Sequence, residues 1–151
     1  MRAVAVAAFW LSMTLAAAAA PAATPANVFR AFGLFGTWAV DCGRPASPQN
    51  PYVSDFLEDN GAVVEEHHLG TDYAVNHYHV LSAKGLSATK VALEVVFRPG
   101  SEVGHHQKLV VRVANGHRRT LFNRPQGDKV RVKDGVVLGL GVKTPTLTKC
   151  E

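Results

Sequence analysis

Histidine is the side chain in this sequence with the clearest capacity for chemistry near neutral pH. The seven histidines are His67, His68, His77, His79, His105, His106 and His117. His77 and His79 are two residues apart, so on a β-strand they share one face, where two ring nitrogens can bind one metal ion. A turn at 70–72 would pair residues whose numbers sum to about 142, which places His67 opposite Val75. The sequence therefore permits a metal site at His77, His79 and His67; the alternative is that these histidines only titrate with pH.

Other arrangements that support catalysis are missing from the sequence. Glu65 and Glu66 are neighbours on a predicted strand and point to opposite faces, which prevents them from acting as an acid and base pair. No serine lies in a Gly-x-Ser-x-Gly motif, and there is no glycine-rich loop for phosphate. We therefore expect a protein that is not an enzyme and that uses no cofactor.

The first 22 residues have the composition of a secretory signal peptide. Arg2 is followed by an apolar run at 3–15 and then by several alanines, which is the order of regions in such signals. The alternative is an N-terminal membrane anchor, but this run is shorter than the roughly 20 residues that span a bilayer. We predict a signal peptide at 1–22, export to the periplasm or out of the cell, and no stable membrane anchor after cleavage.

The two cysteines, Cys42 and Cys150, are expected to form a disulfide bond, because an exported chain folds in an oxidising compartment. Such a bond would close most of the mature chain into one loop, which stabilises the fold by roughly 4–5 kcal/mol in the chain-entropy model. The alternative is two free thiols, although a lone pair of cysteines is a poor zinc signature.

The charge of the chain is mildly basic, with 16 lysines and arginines against 12 aspartates and glutamates. The longest basic run is Arg118-Arg119, and nucleic-acid binding normally needs a concentrated basic stripe. We therefore expect no nucleic-acid partner.

Turn residues recur about every ten residues, and between them the chain alternates apolar and polar side chains. This pattern predicts an all-β, antiparallel up-and-down meander. The predicted strands are 34–42, 52–57, 62–69, 73–83, 86–98, 106–114, 117–124, 128–133, 136–142 and 146–150. Residues 23–33 form a leader and a short helical turn, which Asn27 can cap. Residues 34–151 then form a single small barrel, with a β-sandwich as the alternative.

The start of the first strand, Phe35-Gly36-Thr37-Trp38, resembles the Gly-x-Trp motif of the calycins. These are lipocalins, fatty-acid-binding proteins, avidins and small periplasmic protease-inhibitor barrels. The resemblance implies that Trp38 closes one end of a barrel and that the mouth or its loops bind. In lipocalins an arginine on the last strands packs over this tryptophan; here Lys143 or Lys149 would have to take its place.

The loop at 43–51 is the strongest candidate for binding a protein, because its three prolines limit the entropy lost on association. The predicted partner-binding residues are Arg44, Pro45, Pro48, Pro51 and Tyr52. The leading prediction is an exported, non-catalytic barrel that binds or inhibits a protein of the cell envelope. The first alternative is a small apolar ligand inside the barrel, with space left by residues such as Ala92 and Gly139. The second is metal binding by the histidines.

Overall fold

The computed structural model describes residues 23–97 and 105–150, and the predicted signal peptide at 1–22 lies outside them. One short helix, α1 (Pro25–Ala31), precedes the strands. The strands are β1 (Gly36–Ala39), β2 (Tyr52–Leu57), β3 (Val63–His68), β4 (Asn76–Ser87), β5 (Lys90–Phe97), β6 (His105–Ala114), β7 (His117–Pro125), β8 (Val132–Lys133), β9 (Val136–Val137), β10 (Val142–Lys143) and β11 (Leu147–Lys149). No helix in this part of the chain is long and apolar enough to cross a membrane.

Two of the tight turns form where the sequence contains Asn-Gly or Asp-Gly. Asn115 and Gly116 join β6 to β7 with φ angles of 53° and 72°. Asp134 and Gly135 join β8 to β9 with φ angles of 51° and 73°. Two consecutive positive φ angles are typical of the type I′ turn, whose twist matches that of paired strands. Local turn chemistry therefore accounts for these connections of the meander.

Within the described residues, eight strands close into an antiparallel barrel in the order β7, β11, β1, β2, β3, β4, β5, β6 and back to β7. The last strand, β11, closes the barrel by pairing with both β1 and β7. Cys42 and Cys150 form a disulfide across this closure, with sulfurs 2.04 Å apart. The predicted barrel and disulfide are confirmed, and the sandwich alternative is wrong.

One end of the barrel is filled by α1 and the residues that follow it. The helix is capped by Thr24 rather than Asn27, since the Asn27 amide donates to Thr24 Oγ1 over 3.3 Å. Phe29 and Leu34 are fully buried here. They pack on inward-facing residues of β3 to β6, namely Val63, Val80, Val91, Leu93, Val95 and Val111. We call this region the plugged end of the barrel.

Trp38 lies on β1 beside the plugged end and is buried. Its indole Nε1 donates to the carbonyl of Leu34 over 2.8 Å. Lys149 Nζ lies 5.3 Å from the centre of the indole ring and donates to the carbonyl of Gly33 over 2.9 Å. Of the two lysines considered, Lys149 therefore takes the position over the tryptophan.

The region from β8 to β10 differs from the sequence-based prediction. Residues 128–133 and 136–142 were expected to be two further strands of the meander, but they form three strands of two residues each, outside the closed barrel. This small sheet, which we call the arm, pairs with β7 through Asn123 and Val132. Its position is fixed by Arg119, which donates to Gly135 O over 2.7 Å and to Thr144 Oγ1 over 3.1 Å.

Candidate ligand-binding site

A cavity of about 330 Å³ occupies the barrel interior at the end opposite the plug, which we call the open end. Most of its wall area is apolar, with contributions from Pro51, Val53, Leu69, Leu109, Val132, Pro145 and Leu147. Polar groups also line it, namely Glu65, His67, Gln107, Arg118, Arg119, Thr120, Asn123 and Thr144. A concave, mainly apolar site with a few converging polar groups is the usual form of a small-molecule site. The space predicted from Ala92 and Gly139 is not part of this cavity, because neither residue lines it.

A cluster of three buried ionisable side chains adjoins the cavity, and two of them, Glu65 and Arg118, line it as a polar floor. The register of β2 and β3 places Asp55 directly opposite Glu65 on the inner face. Arg118, on β7 across the barrel, donates through Nη1 to Asp55 Oδ2 over 2.5 Å and through Nη2 to Glu65 Oε2. Their side chains are at most 7% exposed. Such a cluster is stable only while its charges are mutually compensated.

The environment shifts the pKa of each member of this cluster. Burial raises the pKa of Asp55 well above its usual range, and the charge of Arg118 offsets this only in part. Burial alone would also raise the pKa of Glu65, but Arg118 and His67 together hold it well below its usual value. Burial would lower the pKa of Arg118, yet the two carboxylates raise it. The three shifts therefore arise from burial together with the mutual attraction of Arg118 and the two carboxylates.

His67 extends the cluster toward the cavity. Its Nε2 lies 2.6 Å from Glu65 Oε1, and its ring packs on Tyr78 with centroids 4.8 Å apart. Tyr78 packs in turn on Phe97, with centroids 4.9 Å apart. When the ring is neutral and Nε2 donates to the carboxylate, Nδ1 is an acceptor. The histidine is therefore oriented by Glu65 and held by an aromatic stack.

The predicted metal ligands are not brought together. The hairpin of β3 and β4 pairs residues whose numbers sum to 143, so His67 lies opposite Asn76 rather than Val75. This one-residue difference places His77 and His79 on the face opposite to His67. His77 Nδ1 instead contacts Glu66 Oε1 over 3.0 Å. Among the described residues there is no group of three or more side chains placed to hold a metal ion.

The predicted partner-binding loop is held in shape by its own hydrogen bonds. The buried Asn50 side chain donates to the carbonyls of Arg44 and Pro45 over 3.0 and 3.1 Å, and accepts from the Asp41 amide over 2.9 Å. The Tyr52 hydroxyl lies within 2.9 Å of two loop carbonyls. Arg44, Pro45 and Pro48 are exposed, whereas Pro51 lines the cavity.

A larger groove of about 560 Å³ lies on the outer surface of β5 to β7. It is lined mainly by exposed polar and charged side chains, and two of these, Lys108 and Glu94, form an ion pair of 3.1 Å. Exposed pairs of this kind contribute little energy and do not define a pocket for an apolar molecule. The interior cavity is therefore the stronger candidate site.

The cluster of Asp55, Glu65 and Arg118 was not predicted from the sequence. The opposite orientation of Glu65 and Glu66 was predicted correctly, but not which carboxylate points inward. The strand itself gives no signal for this, because both of its faces read Val-Glu-His (residues 63, 65, 67 and 64, 66, 68) and both valines are buried. A carboxylate on an apolar face needs a buried cation as its partner.

Neither a known protein family, nor a curated protein, nor a solved structure matches this chain. The geometry of the cavity is therefore the basis for assigning a function.

Proposed function

We propose that the protein binds a small, mainly apolar molecule in the cavity at the open end of the barrel. The observation that carries this proposal is the combination of apolar walls with a buried polar floor at Glu65 and Arg118. This was the first alternative from the sequence, and the space inside the barrel now favours it over docking of an envelope protein. We include in the proposal that the chain is exported and that its barrel is calycin-like, which the Lys149–Trp38 contact supports.

The size of the ligand follows from the size of the cavity. A cavity of about 330 Å³ lies at the small end of the roughly 300–1,000 Å³ range of ligand pockets, so it suits a small ligand. The apolar walls favour a short hydrocarbon chain or a small ring system. A long-chain lipid would have to extend out of the barrel mouth.

The polar end of the ligand is a hydroxyl rather than a carboxylate. Both terminal nitrogens of Arg118 already donate to the protein's own carboxylates. An incoming carboxylate would therefore meet Glu65 while Arg118 is already paired and Arg119 already donates to Thr144 Oγ1 and Gly135 O, and burying a poorly paired charge is costly. A hydroxyl can donate to Glu65 and accept from a neighbouring group, because each carboxylate oxygen has two lone pairs.

Octanol is a suitable probe, and a substitution that fills the cavity provides the test. Leu109→Trp adds volume within the cavity wall, so titration calorimetry should show loss of octanol binding. The control is Val110→Trp on the opposite face of the same strand, which should bind octanol like the native protein. Equal octanol binding by both variants, or no octanol binding by the native protein, would overturn the proposal.

A second function, docking of an envelope protein through the loop at 43–51, is favoured by the hydrogen bonds of Asn50. They hold Arg44, Pro45 and Pro48 exposed in one arrangement, which reduces the entropy lost on binding. Replacement of these three residues by serine should remove a partner that crosslinks to the native protein in an envelope extract. Unchanged crosslinking would exclude the loop as the contact surface.

A further inference from the structure

The tip of the arm carries the most exposed cluster of large apolar side chains in the described part of the chain. Leu138, Leu140 and Val142 are 52%, 75% and 52% exposed. Contiguous exposed apolar surface of this kind marks sites of interaction with proteins or membranes. We propose that the arm docks tip-first on an anionic lipid bilayer, with residues 138–142 at the boundary between headgroups and acyl chains.

The side chains of the arm are arranged in layers behind the tip. The strand register places Val132, Val137 and Val142 opposite one another across the three strands, in the layer next to the tip. Directly opposite residues on antiparallel strands share a face, so these valines form one apolar row. The row begins at Val132 in the cavity wall and ends at the exposed Val142.

The next layer carries positive charge. Lys133 and Lys143 lie on either side of Val136, one residue farther from the tip, and both are exposed. One strand residue spans about 3.3 Å, so these ammonium groups lie close behind the apolar layer. An apolar tip followed by cations matches the order of acyl chains and phosphates in an anionic bilayer. An apolar protein groove would not require the lysines.

The local balance of charge supports the same partner. Residues 138–143 contain one lysine and no acidic residue. Beside the tip, where Arg131 lies opposite Leu138, Asp128 is paired with Arg131 over 2.8 Å, so this pair adds no net charge. Asp134 follows Lys133 at the other end of the arm, so residues 128–143 carry four basic and two acidic side chains, a net charge of +2. A basic fringe around exposed apolar side chains is typical of proteins that bind the surface of anionic membranes.

The backbone at the tip is suited to an apolar environment. The amides of Leu140 and Gly141 both donate to Val137 O, over 3.1 and 2.8 Å, and the Leu138 amide donates to Arg131 O over 2.9 Å. Unsatisfied backbone groups make entry into lipid costly, and these three amides are already satisfied. The turn can therefore contact lipid without rearranging.

Vesicle flotation of the full-length protein tests the docking. Vesicles of phosphatidylglycerol and phosphatidylcholine in equal parts are compared with vesicles of phosphatidylcholine alone. We expect the protein to float with the anionic vesicles at low salt and to be released by high salt. Leu138→Ser combined with Leu140→Ser should reduce binding at least about tenfold, because two apolar side chains lose their burial in lipid.

The matched control is Leu81→Ser combined with Leu86→Ser on β4, where the leucines are 50% and 53% exposed. It should float like the native protein. Lys133→Gln with Lys143→Gln should weaken binding about 25-fold, since each cation near an anionic surface strengthens binding about fivefold. Lys84→Gln with Lys90→Gln, on the exposed surface of β4 and β5, is the charge control.

Three results would overturn the proposal. The first is no flotation of the native protein. The second is equal flotation of the native protein and the Leu138/Leu140 variant, which would assign binding to another part of the chain. The third is a lipid-independent dimer that dissociates in that variant, which would identify the arm as a contact between two copies.

Discussion

The two ends of the barrel interior share strands but differ in composition. One end is packed with apolar side chains, and the other has buried charges around a cavity. At the plugged end, Phe29 and Leu34 pack on valines and a leucine. At the open end, the corresponding strands carry Glu65, His67 and Arg118 around about 330 Å³ of space. The first arrangement maximises apolar burial, whereas the second retains buried charges that a purely structural core does not need. We therefore assign a stabilising role to the plug and place the proposed binding function at the open end.

A cavity made in the plug should cost stability and leave binding intact. Phe29→Ala is expected to lower the free energy of unfolding by about 3–5 kcal/mol, because the neighbouring side chains cannot fully refill the space. Chemical denaturation measures this loss. Phe56→Ala, at a residue 37% exposed on β2, should cost far less.

Because the plug and the cavity lie at opposite ends of the barrel, we expect the folded Phe29→Ala protein to bind octanol with native affinity. A loss of octanol binding in proportion to stability would show that the two ends do not act separately.

Removal of the buried cation should lower the stability of the fold. Arg118→Met leaves two carboxylates without a partner and is expected to lower the free energy of unfolding by about 3–5 kcal/mol. Adding Asp55→Asn and Glu65→Gln to this variant should restore part of the stability, since no unpaired charge remains. Denaturation of the three proteins measures both effects.

Arg112→Met is the control, because Arg112 is exposed on β6. It should change the stability by less than about 0.5 kcal/mol. A comparable loss in both variants would contradict the role given to the cluster.

Acidic pH should lower the free energy of unfolding through protonation of Glu65 at the open end. Its pKa is lower in the folded protein than the ordinary 4.5, so its contribution is complete above pH 4.5 and is lost as the pH falls below that value. Hydrogen bonds to charged groups contribute about 1.5–3 kcal/mol, which sets the size of the loss. Denaturation over a range of pH should show this fall in the native protein and a smaller one in Glu65→Gln. An identical pH dependence in the two proteins would contradict the assignment.

A smaller effect is expected where the arm joins the barrel. In Gly135→Ala, the new Cβ would lie 2.7 Å from Arg119 Nη2. Residue 135 also has a φ angle of +73°, a backbone conformation that disfavours residues other than glycine. A strained backbone of this kind costs about 1–3 kcal/mol. We also expect weaker octanol binding, because Val132 and Thr144 of the cavity wall depend on the position of the arm.

Gly139→Ala is the matched control, with nothing within 4 Å of the added Cβ and an ordinary φ. Calorimetry and denaturation should both give native values for it. Equal effects of the two alanines would show that the arm is not fixed at Gly135.

The sequence was sufficient for the parts of the fold that depend on local pattern. Alternation on β5, Asn-Gly and Asp-Gly turns and the two cysteines predicted the closed barrel. The arm was not predicted, because its residues alternate like a barrel strand, and only the long-range pairing of β11 with β1 and β7 leaves them outside the closed barrel. The cluster was not predicted either, since Arg118 lies 63 and 53 residues from its partners in the sequence. A register difference of one residue was enough to separate His67 from His77.

The preference between octanol and octanoate is the most direct test of the open end as a ligand site. The native protein should bind octanol at least about tenfold more tightly than octanoate, because Arg118 is already occupied and a buried charge would be poorly paired. Asp55→Asn with Glu65→Gln should reverse this preference by freeing the guanidinium, and Glu65→Gln alone should shift it in the same direction. Tighter binding of octanoate by the native protein, or binding of neither compound, would contradict the account.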